Sequence, residues 1–264
     1  MKTYLILFAI VLLGFVLLFG LYRFRCAISK EKEVLFKKYS KRQNSITVHD
    51  LEGLPLLLKT YLKKVGVVGK PKDGHVVFRQ KGRIKTSTEK GWTNFRAIQY
   101  MTSSTPNFIW SAQAYPLFIR DKSIAGKGEV KVNLFGLKNI ALADGAKTDQ
   151  SALSRCLGEL MFYPVGFLSA DIAWEAIDDK SVKAKVHTQG TQAEGIFYFN
   201  PNGLLSHFKT KRYKDESLEE FTGIAENYKT MSGLLIPTTM RAIWNLEEGD
   251  FEYFNCELTN YTVG

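Results

Sequence analysis

The sequence predicts a mainly β protein, in which a single N-terminal transmembrane helix precedes a strongly curved antiparallel sheet. Three observations lead to this fold class. Residues 4–22 form one uncharged apolar run, about a dozen later segments alternate apolar and polar residues, and two short segments after residue 50 show helical spacing. Such a sheet, a half-barrel, would be covered by one or two helices. We therefore expect a transmembrane anchor (1–22), a basic juxtamembrane linker (23–53) and a β-rich half-barrel domain (54–264).

The anchor prediction depends on the length of the apolar run. YLILFAIVLLGFVLLFGLY places 19 residues without a charge between Tyr4 and Tyr22. At about 1.5 Å per helical residue, this length spans a hydrocarbon core of roughly 30 Å. A cleaved signal peptide would have a shorter apolar region and small residues before the cut, but here Arg23, Phe24 and Arg25 follow. The sequence therefore predicts an uncleaved, single-pass membrane protein.

The formal net charge of +10 is concentrated near the N-terminus. Residues 1–42 contain nine basic and two acidic residues, whereas the remaining 222 residues carry 27 basic and 24 acidic ones. A nucleic-acid-binding domain carries its basic residues on its folded surface, so we expect no nucleic-acid partner. The basic segment can instead attract anionic membrane lipid. The positive-inside rule favours a cytoplasmic domain, but the rule can fail for one helix with a long domain, so the side of the membrane stays open.

The expected domain begins with a short helix and continues with strands. LPLLLKTYLKKVG, residues 54–66, is amphipathic, with Pro55 in its first turn and Gly66 at its end. From residue 75 onward, apolar residues recur with a period of two. The alternation predicts that Trp110 in FIWSAQAY, and Val130 and Val132 in EVKVNLF, face the interior of the sheet.

Further segments continue the strand pattern to the C-terminus. The candidates are HVVFRQKGRIK, WTNFRAIQYMT, LFIRDKS, LKNIALA, WEAIDD, VKAKVHT, EGIFYFN, LLSHFKTKRY, EEFTGIAENYKT, IPTTMRAIWNL and FEYFNCELTNYTV. Turn residues such as Pro201-Asn202-Gly203 and Asp144-Gly145 separate several of them. Many short strands with frequent turns are typical of a strongly curved antiparallel sheet or a barrel.

One apolar helix, SALSRCLGELMFY at residues 151–163, interrupts the strands. Its apolar residues share one helical face, and Pro164 ends it; they are Ala152, Leu153, Cys156, Leu157, Leu160 and Met161. We expect this helix to lie in the concave face of the sheet. Arg155 and Glu159 are four residues apart, so their side chains can meet. They form either an exposed pair, worth about 0.3–0.5 kcal/mol, or a buried pair beside the core.

The sequence contains no recognisable catalytic or cofactor motif. We find no G-x-S-x-G, no phosphate-binding loop and no metal-ligand spacing among the four histidines and three cysteines. We therefore predict no catalytic residue, no metal and no cofactor. Cys156 and Cys256 could pair only in an oxidising compartment, and this question stays open.

A ligand-binding site around the inner helix is our site hypothesis. Its candidate residues are Trp110, Arg155, Glu159, Met161, Phe162, Tyr163 and Trp244. Arg155 would face an anionic headgroup, the acyl part of the ligand would lie among the tryptophans, and Phe162 and Tyr163 would form the mouth. Arg120 and Asp121 form a second candidate polar site. Core packing of the tryptophans and exposure of the charged pairs are the alternative interpretations.

The ordered motifs resemble an uncharacterised bacterial family of membrane-associated domains of unknown function. These motifs are GWTNFRAIQY, PNFIW, IRDKSIAGKGEV, RCLGELMFYP, IAWEAI, FYFNPNGLL and GLLIPTTMRAIW, and they cover nearly all of residues 50–264. Cys156 departs from the pattern, which has an aromatic residue there. The resemblance implies no activity. More distantly, the predicted fold is similar to the lipoprotein-carrier half-barrels, LolA and LolB, which hold acyl chains between sheet and helix.

Three functions are compatible with these observations. The favoured one is a membrane-anchored module that binds a lipid or another apolar ligand. An enzyme of unknown reaction is the second, with Arg120, Asp121, Arg155 and Glu159 as its polar groups. A structural protein that binds a partner through an exposed sheet edge is the third. The sequence leaves the ligand and the oligomeric state open.

Overall fold

The computed structural model describes residues 1–37 and 44–264, which form three α-helices and one antiparallel sheet of thirteen strands. The helices are α1 (Lys2–Phe36), α2 (Leu56–Lys64) and α3 (Ala146–Glu159). The strands are β1 (His75–Ile84), β2 (Thr93–Thr102), β3 (Asn107–Ala114), β4 (Leu117–Ile124), β5 (Lys127–Leu134), β6 (Lys138–Ala143), β7 (Ile172–Ala176), β8 (Ser181–Thr188), β9 (Thr191–Phe199), β10 (Leu205–Lys214), β11 (Ser217–Met231), β12 (Leu234–Leu246) and β13 (Gly249–Val263). Short 3₁₀ helices occupy His49–Leu51, Leu160–Phe162 and Pro164–Leu168.

The strands form two wings that meet between β1 and β13. The order across the sheet is β6-β5-β4-β3-β2-β1-β13-β12-β11-β10-β9-β8-β7, and all neighbours are antiparallel. The sheet curls until the β4–β5 turn reaches the start of β9, where Thr191 Oγ1 donates to the carbonyl of Gly126 at 2.9 Å. The predicted fold class, a half-barrel covered by helices, is confirmed.

Helix α3 lies in the concavity, with its apolar face on both wings. Leu153, Leu157 and Leu160 are fully buried, as the sequence predicts. The α-helix starts at Ala146, earlier than predicted, and changes to a 3₁₀ turn after Glu159. The start differs because the first helical residues, AKTDQ, are polar and carry no apolar periodicity.

Helix α1 is 35 residues long and packs on the convex face of the sheet with its C-terminal half. The Phe24 ring lies 5.3 Å from that of Phe118, and the Phe36 ring stacks on His75 at 3.9 Å. Residues 23–36, the first part of the predicted basic juxtamembrane linker, therefore continue α1, and buried Phe24, Ile28 and Leu35 give this part of the helix one packed face. Residues 38–43 of the predicted linker lie outside the described residues.

The N-terminal half of α1 is exposed and strongly apolar. By length and composition, α1 can cross a membrane, a property that it shares with signal sequences. The chain that follows residue 43 belongs to the domain, because Ile46 is buried and Ser45 forms a bridge to Pro71.

Cys156 and Cys256 are both buried, free thiols. Burial raises the pKa of each thiol above its usual value. The disulfide that the sequence left open is thus absent from this structure.

Candidate functional site

A cavity of about 170 Å³ lies between α3 and the concave face of the sheet. Most of its wall is apolar. Both wings contribute, with Ile119, Val130, Met240, Ala242 and Phe254, and Met161 comes from the 3₁₀ turn after α3. Gly223 of β11 adds to the space, since a Cβ there would meet only one atom within 4 Å, Phe221 Cε1 at 3.8 Å. Ionised side chains interrupt this apolar wall at Asp121, Arg155, Glu159 and Arg212.

Arg155 bridges two carboxylates in the wall. Its Nε donates to Glu159 Oε1 at 2.9 Å, and one terminal nitrogen donates to Asp121 Oδ2 at 2.6 Å. Its guanidinium also lies over the rings of Phe108 and Trp110, 4.8 and 5.1 Å from their centroids. Burial opposes the charge, but Glu159 and Asp121 outweigh it and raise the pKa of Arg155. The Arg155–Glu159 pair is therefore buried, and its guanidinium is already neutralised.

Polar contacts extend from these charges to the neighbouring strands. Gln99 Nε2 of β2 donates to Glu159 Oε2 at 2.5 Å, and Trp110 Nε1 donates to Gln80 Oε1 at 2.7 Å. The Gln99–Glu159 bond and the Arg155–Asp121 ion pair fix α3 against the wing that contains β1 to β4, and the Trp110–Gln80 bond joins two strands of that wing. Asp121 Oδ1 and Gln99 Oε1 are buried without a hydrogen-bond partner among the described residues.

Arg212 of β10 is the second cation of the cavity wall, and its surroundings differ. Only 7% of the residue is exposed. Its Nε donates to the Ser151 carbonyl at 3.1 Å, and its guanidinium lies 4.6 Å from the Phe221 ring centroid and 5.4 Å from that of Trp244. Within residues 1–37 and 44–264, no carboxylate forms an ion pair with it.

The cavity brings together some of the predicted site residues and omits others. Trp110, Arg155, Glu159 and Met161 line it. Phe162 packs against Phe78 in the core, with ring centroids 5.8 Å apart. Phe162 and Tyr163 lie in the filled core and do not form a mouth, because the chain turns under the sheet into the 3₁₀ helix at Pro164–Leu168.

Of the remaining predicted residues, Trp244 and Arg120 lie away from the cavity wall, whereas Asp121 lines it. Trp244 lies behind Arg212 and does not line the cavity. Arg120 and Asp121 are on opposite faces of β4, since successive residues of a strand point to opposite sides. Arg120 pairs on the convex face with Glu31 of α1, at 2.9 Å, and with Glu129 of β5. Burial lowers the pKa of Arg120, an effect that its acidic neighbours only partly oppose.

Arg212 was missed in the sequence, although a signal was present. In LLSHFKTKRYK, the residues Phe208, Thr210 and Arg212 are spaced by two, so a buried Phe208 predicts an inward-facing Arg212. In the part of the chain that the structure describes, no three His, Cys, Asp or Glu side chains are grouped so that they could hold a metal ion.

Comparison with known proteins identifies the family. Residues 44–256 match a family described as "Family of unknown function (DUF6544)". The chain belongs to this family. The predicted membership of an uncharacterised family is thereby confirmed, and no curated protein matches the chain.

Solved structures with a similar course of the chain are distant in sequence. A LolA superfamily protein from Nitrosomonas europaea has 12% identity and a TM-score of 0.46, over 79% of this chain and 94% of that one. A domain described as an outer membrane lipoprotein-sorting protein, from Vibrio parahaemolyticus, has 10% identity and a TM-score of 0.46, over 72% and 85%. A DUF1329 family protein from Desulfovibrio piger has 11% identity and a TM-score of 0.42, over 83% and 93%. The predicted resemblance to lipoprotein carriers thus recurs as a likeness of fold, and it assigns no ligand to this chain.

Proposed function

We propose that this protein is a membrane-anchored module that binds the apolar part of a lipid or of another apolar ligand between the curved sheet and α3. The supporting observation is the mainly apolar cavity with a few polar groups in its wall, which is the usual character of a small-molecule site. An engineered cavity of about 150 Å³ holds a benzene molecule. The present volume of about 170 Å³ therefore suits one short apolar segment, such as the end of a single chain.

The polar groups of the wall favour binding over catalysis. Arg155 and its two carboxylates bond to one another, and Arg120 lies on the other face of the sheet. The four polar residues of the enzyme hypothesis therefore do not converge on one point. The exposed apolar half of α1 supports the anchoring part of the proposal, since a tether raises the effective concentration of a membrane-derived ligand.

Native mass spectrometry of the detergent-extracted, full-length protein tests this proposal. We expect a co-purified apolar molecule on the wild type and an occupancy at least tenfold lower in Gly223→Leu, because the new side chain fills the cavity. Ile224→Phe adds bulk on the opposite face of the same strand and serves as the matched control. The amount of lipid bound around α1 should be equal in the wild type and both variants, because neither substitution changes α1. Equal adducts on all three would refute a cavity ligand.

A further inference from the structure

We propose that the cavity selects a ligand with one anionic group, a carboxylate at the end of an apolar chain, and that Arg212 binds that group. This inference rests on the proposed function and adds the chemical class of the ligand. It reverses the expectation that Arg155 would receive the headgroup. Arg155 is neutralised by Asp121 and Glu159, whereas Arg212 lines the same cavity and pairs with no carboxylate in residues 1–37 and 44–264.

The hydrogen bonds of Arg212 leave most of its donors available. Only Nε bonds to the protein, at the Ser151 carbonyl, and the two terminal nitrogens make no hydrogen bond to any described residue. A guanidinium presents its donors as a fork that matches a carboxylate in a bidentate arrangement. The rings of Phe221 and Trp244 lie beside the cation and stabilise its charge without using these donors.

Glu219 is the acidic residue closest to Arg212 in strand register. It stands directly opposite Arg212 in the β10–β11 ladder, a position from which a carboxylate can reach the guanidinium. The structure shows no ion pair between them. A buried cation without an anion is costly, and an incoming anion would relieve that cost.

The rest of the wall sets the direction of the ligand. Beside Arg212 of β10, the next two strands of the sheet line the cavity with apolar Phe221 of β11 and with Met240 and Ala242 of β12. Asp121 and Glu159 lie in the other part of the wall, with one guanidinium between two carboxylates, and repel a second anion. We therefore place the anionic end at Arg212 and the chain along β11 and β12. One positive charge and a small volume favour a monoanion, and the two oxygens of a carboxylate match the guanidinium fork.

Binding of 8-bromooctanoate and 8-bromooctan-1-ol to the full-length protein in micelles of an uncharged detergent tests this inference. The bromine quenches tryptophan fluorescence, and Trp110 lines the cavity. Since a hydrogen bond to a charged group contributes about 1.5–3 kcal/mol, which is a factor of ten or more in affinity, we expect the acid to bind at least ~10-fold more tightly than the alcohol. In Arg212→Met, we expect the two probes to bind equally.

Two further variants complete the experiment. Lys211→Met removes the same charge from the neighbouring, exposed residue of β10, and we expect it to keep the wild-type preference. Arg212→Lys keeps the cation and should retain part of the preference, which covers a failure of Arg212→Met to fold. If the wild type binds both probes equally, or if Arg212→Met still prefers the acid, the role of Arg212 is refuted and the proposed function stands. If neither probe binds the wild type, the proposed function itself fails.

Discussion

At the scale of single residues, Arg155 bonds to two carboxylates, and among the described residues it is the only ion-pair partner of Asp121 and of Glu159. Removing Arg155 leaves two buried carboxylates without a cation, whereas removing one carboxylate leaves the other still paired. We therefore expect Arg155→Met to lower the free energy of unfolding by about 3–5 kcal/mol. Glu159→Gln should cost less, about 1–3 kcal/mol. Denaturant unfolding followed by tryptophan fluorescence measures both.

The double variant and a surface control make that comparison specific. The double variant Arg155→Met/Glu159→Gln should lower the free energy of unfolding by less than the sum of the two single changes. The reason is that Glu159→Gln removes one of the two carboxylates that Arg155→Met leaves unpaired. Lys81→Met breaks a pair with Glu257 in which both side chains are 62% exposed, so its cost should stay below about 1 kcal/mol. A wild-type unfolding curve for Arg155→Met would show that the charges are not buried.

His75 gives the stability of the α1 contact a pH dependence. Burial, and then the charge of Lys32, lower the pKa of His75, whose ring stacks on Phe36. The unfolded chain then binds more protons than the folded chain between this lowered pKa and about 6.5. The contribution of His75 to the free energy of unfolding is therefore fully present above about pH 6.5, and it decreases as the pH falls from there to the lowered pKa. We expect the melting temperature to fall from pH 7.5 to pH 5 by less in His75→Phe than in the wild type; equal slopes would contradict this role.

Some contacts of Arg155 can be predicted from the sequence, and others cannot. The spacing of four between Arg155 and Glu159 predicts their contact, whereas the sequence left an exposed pair and a buried pair as equal alternatives. Asp121 reaches Arg155 across 34 residues of chain, a distance that only the curl of the sheet closes. Alternation along β4 does predict that Arg120 and Asp121 face apart, so grouping them as one site overlooked a readable signal.

At the scale of elements, Gly20 marks the point where α1 meets the sheet. A Cβ at Gly20 would come within 2.8 Å of Leu137 Cγ and would also overlap the Phe135 carbonyl. We therefore expect Gly20→Leu to push α1 away from the β5–β6 turn and to speed amide hydrogen exchange in residues 20–36. Gly14, which has nothing within 4 Å of its Cβ position, is the matched control. Unchanged exchange in Gly20→Leu would contradict the close approach.

The packing of α1 shows why its boundaries were hard to predict. The apolar run predicts a helix, but it ends near residue 22 while the helix continues to Phe36. Phe24, Ile28 and Leu35 lie among charged residues, so their shared face is visible only against the convex surface that they cover. The inner helix was easier, because its apolar residues are dense and Pro164 stops it.

At the scale of the whole molecule, the domain has a large core of its own beneath the concave face, and α1 adds a smaller cluster on the convex face. We expect deletion of residues 1–42 to leave a folded, water-soluble domain that melts at least about 4 °C below the chain lacking residues 1–19, because Phe118 loses its cover. In a domain of this size, a loss of about 1–2 kcal/mol in the free energy of unfolding lowers the melting temperature by several degrees. Circular dichroism and gel filtration of both truncated chains measure it. An unfolded 43–264 fragment would make α1 part of the core.

The uninterrupted passage of α1 from its exposed half onto the sheet limits how the domain can move. Residues 20–36 run about 25 Å along the convex face. The domain is therefore not joined to the exposed half of α1 by a flexible linker, and it cannot tilt freely relative to that half. If the apolar half spans a bilayer, as proposed, the domain would rotate about the membrane normal and diffuse in two dimensions, with its cavity at a constant height above the lipid. Delivery to a distant surface would then require a carrier that comes to this protein.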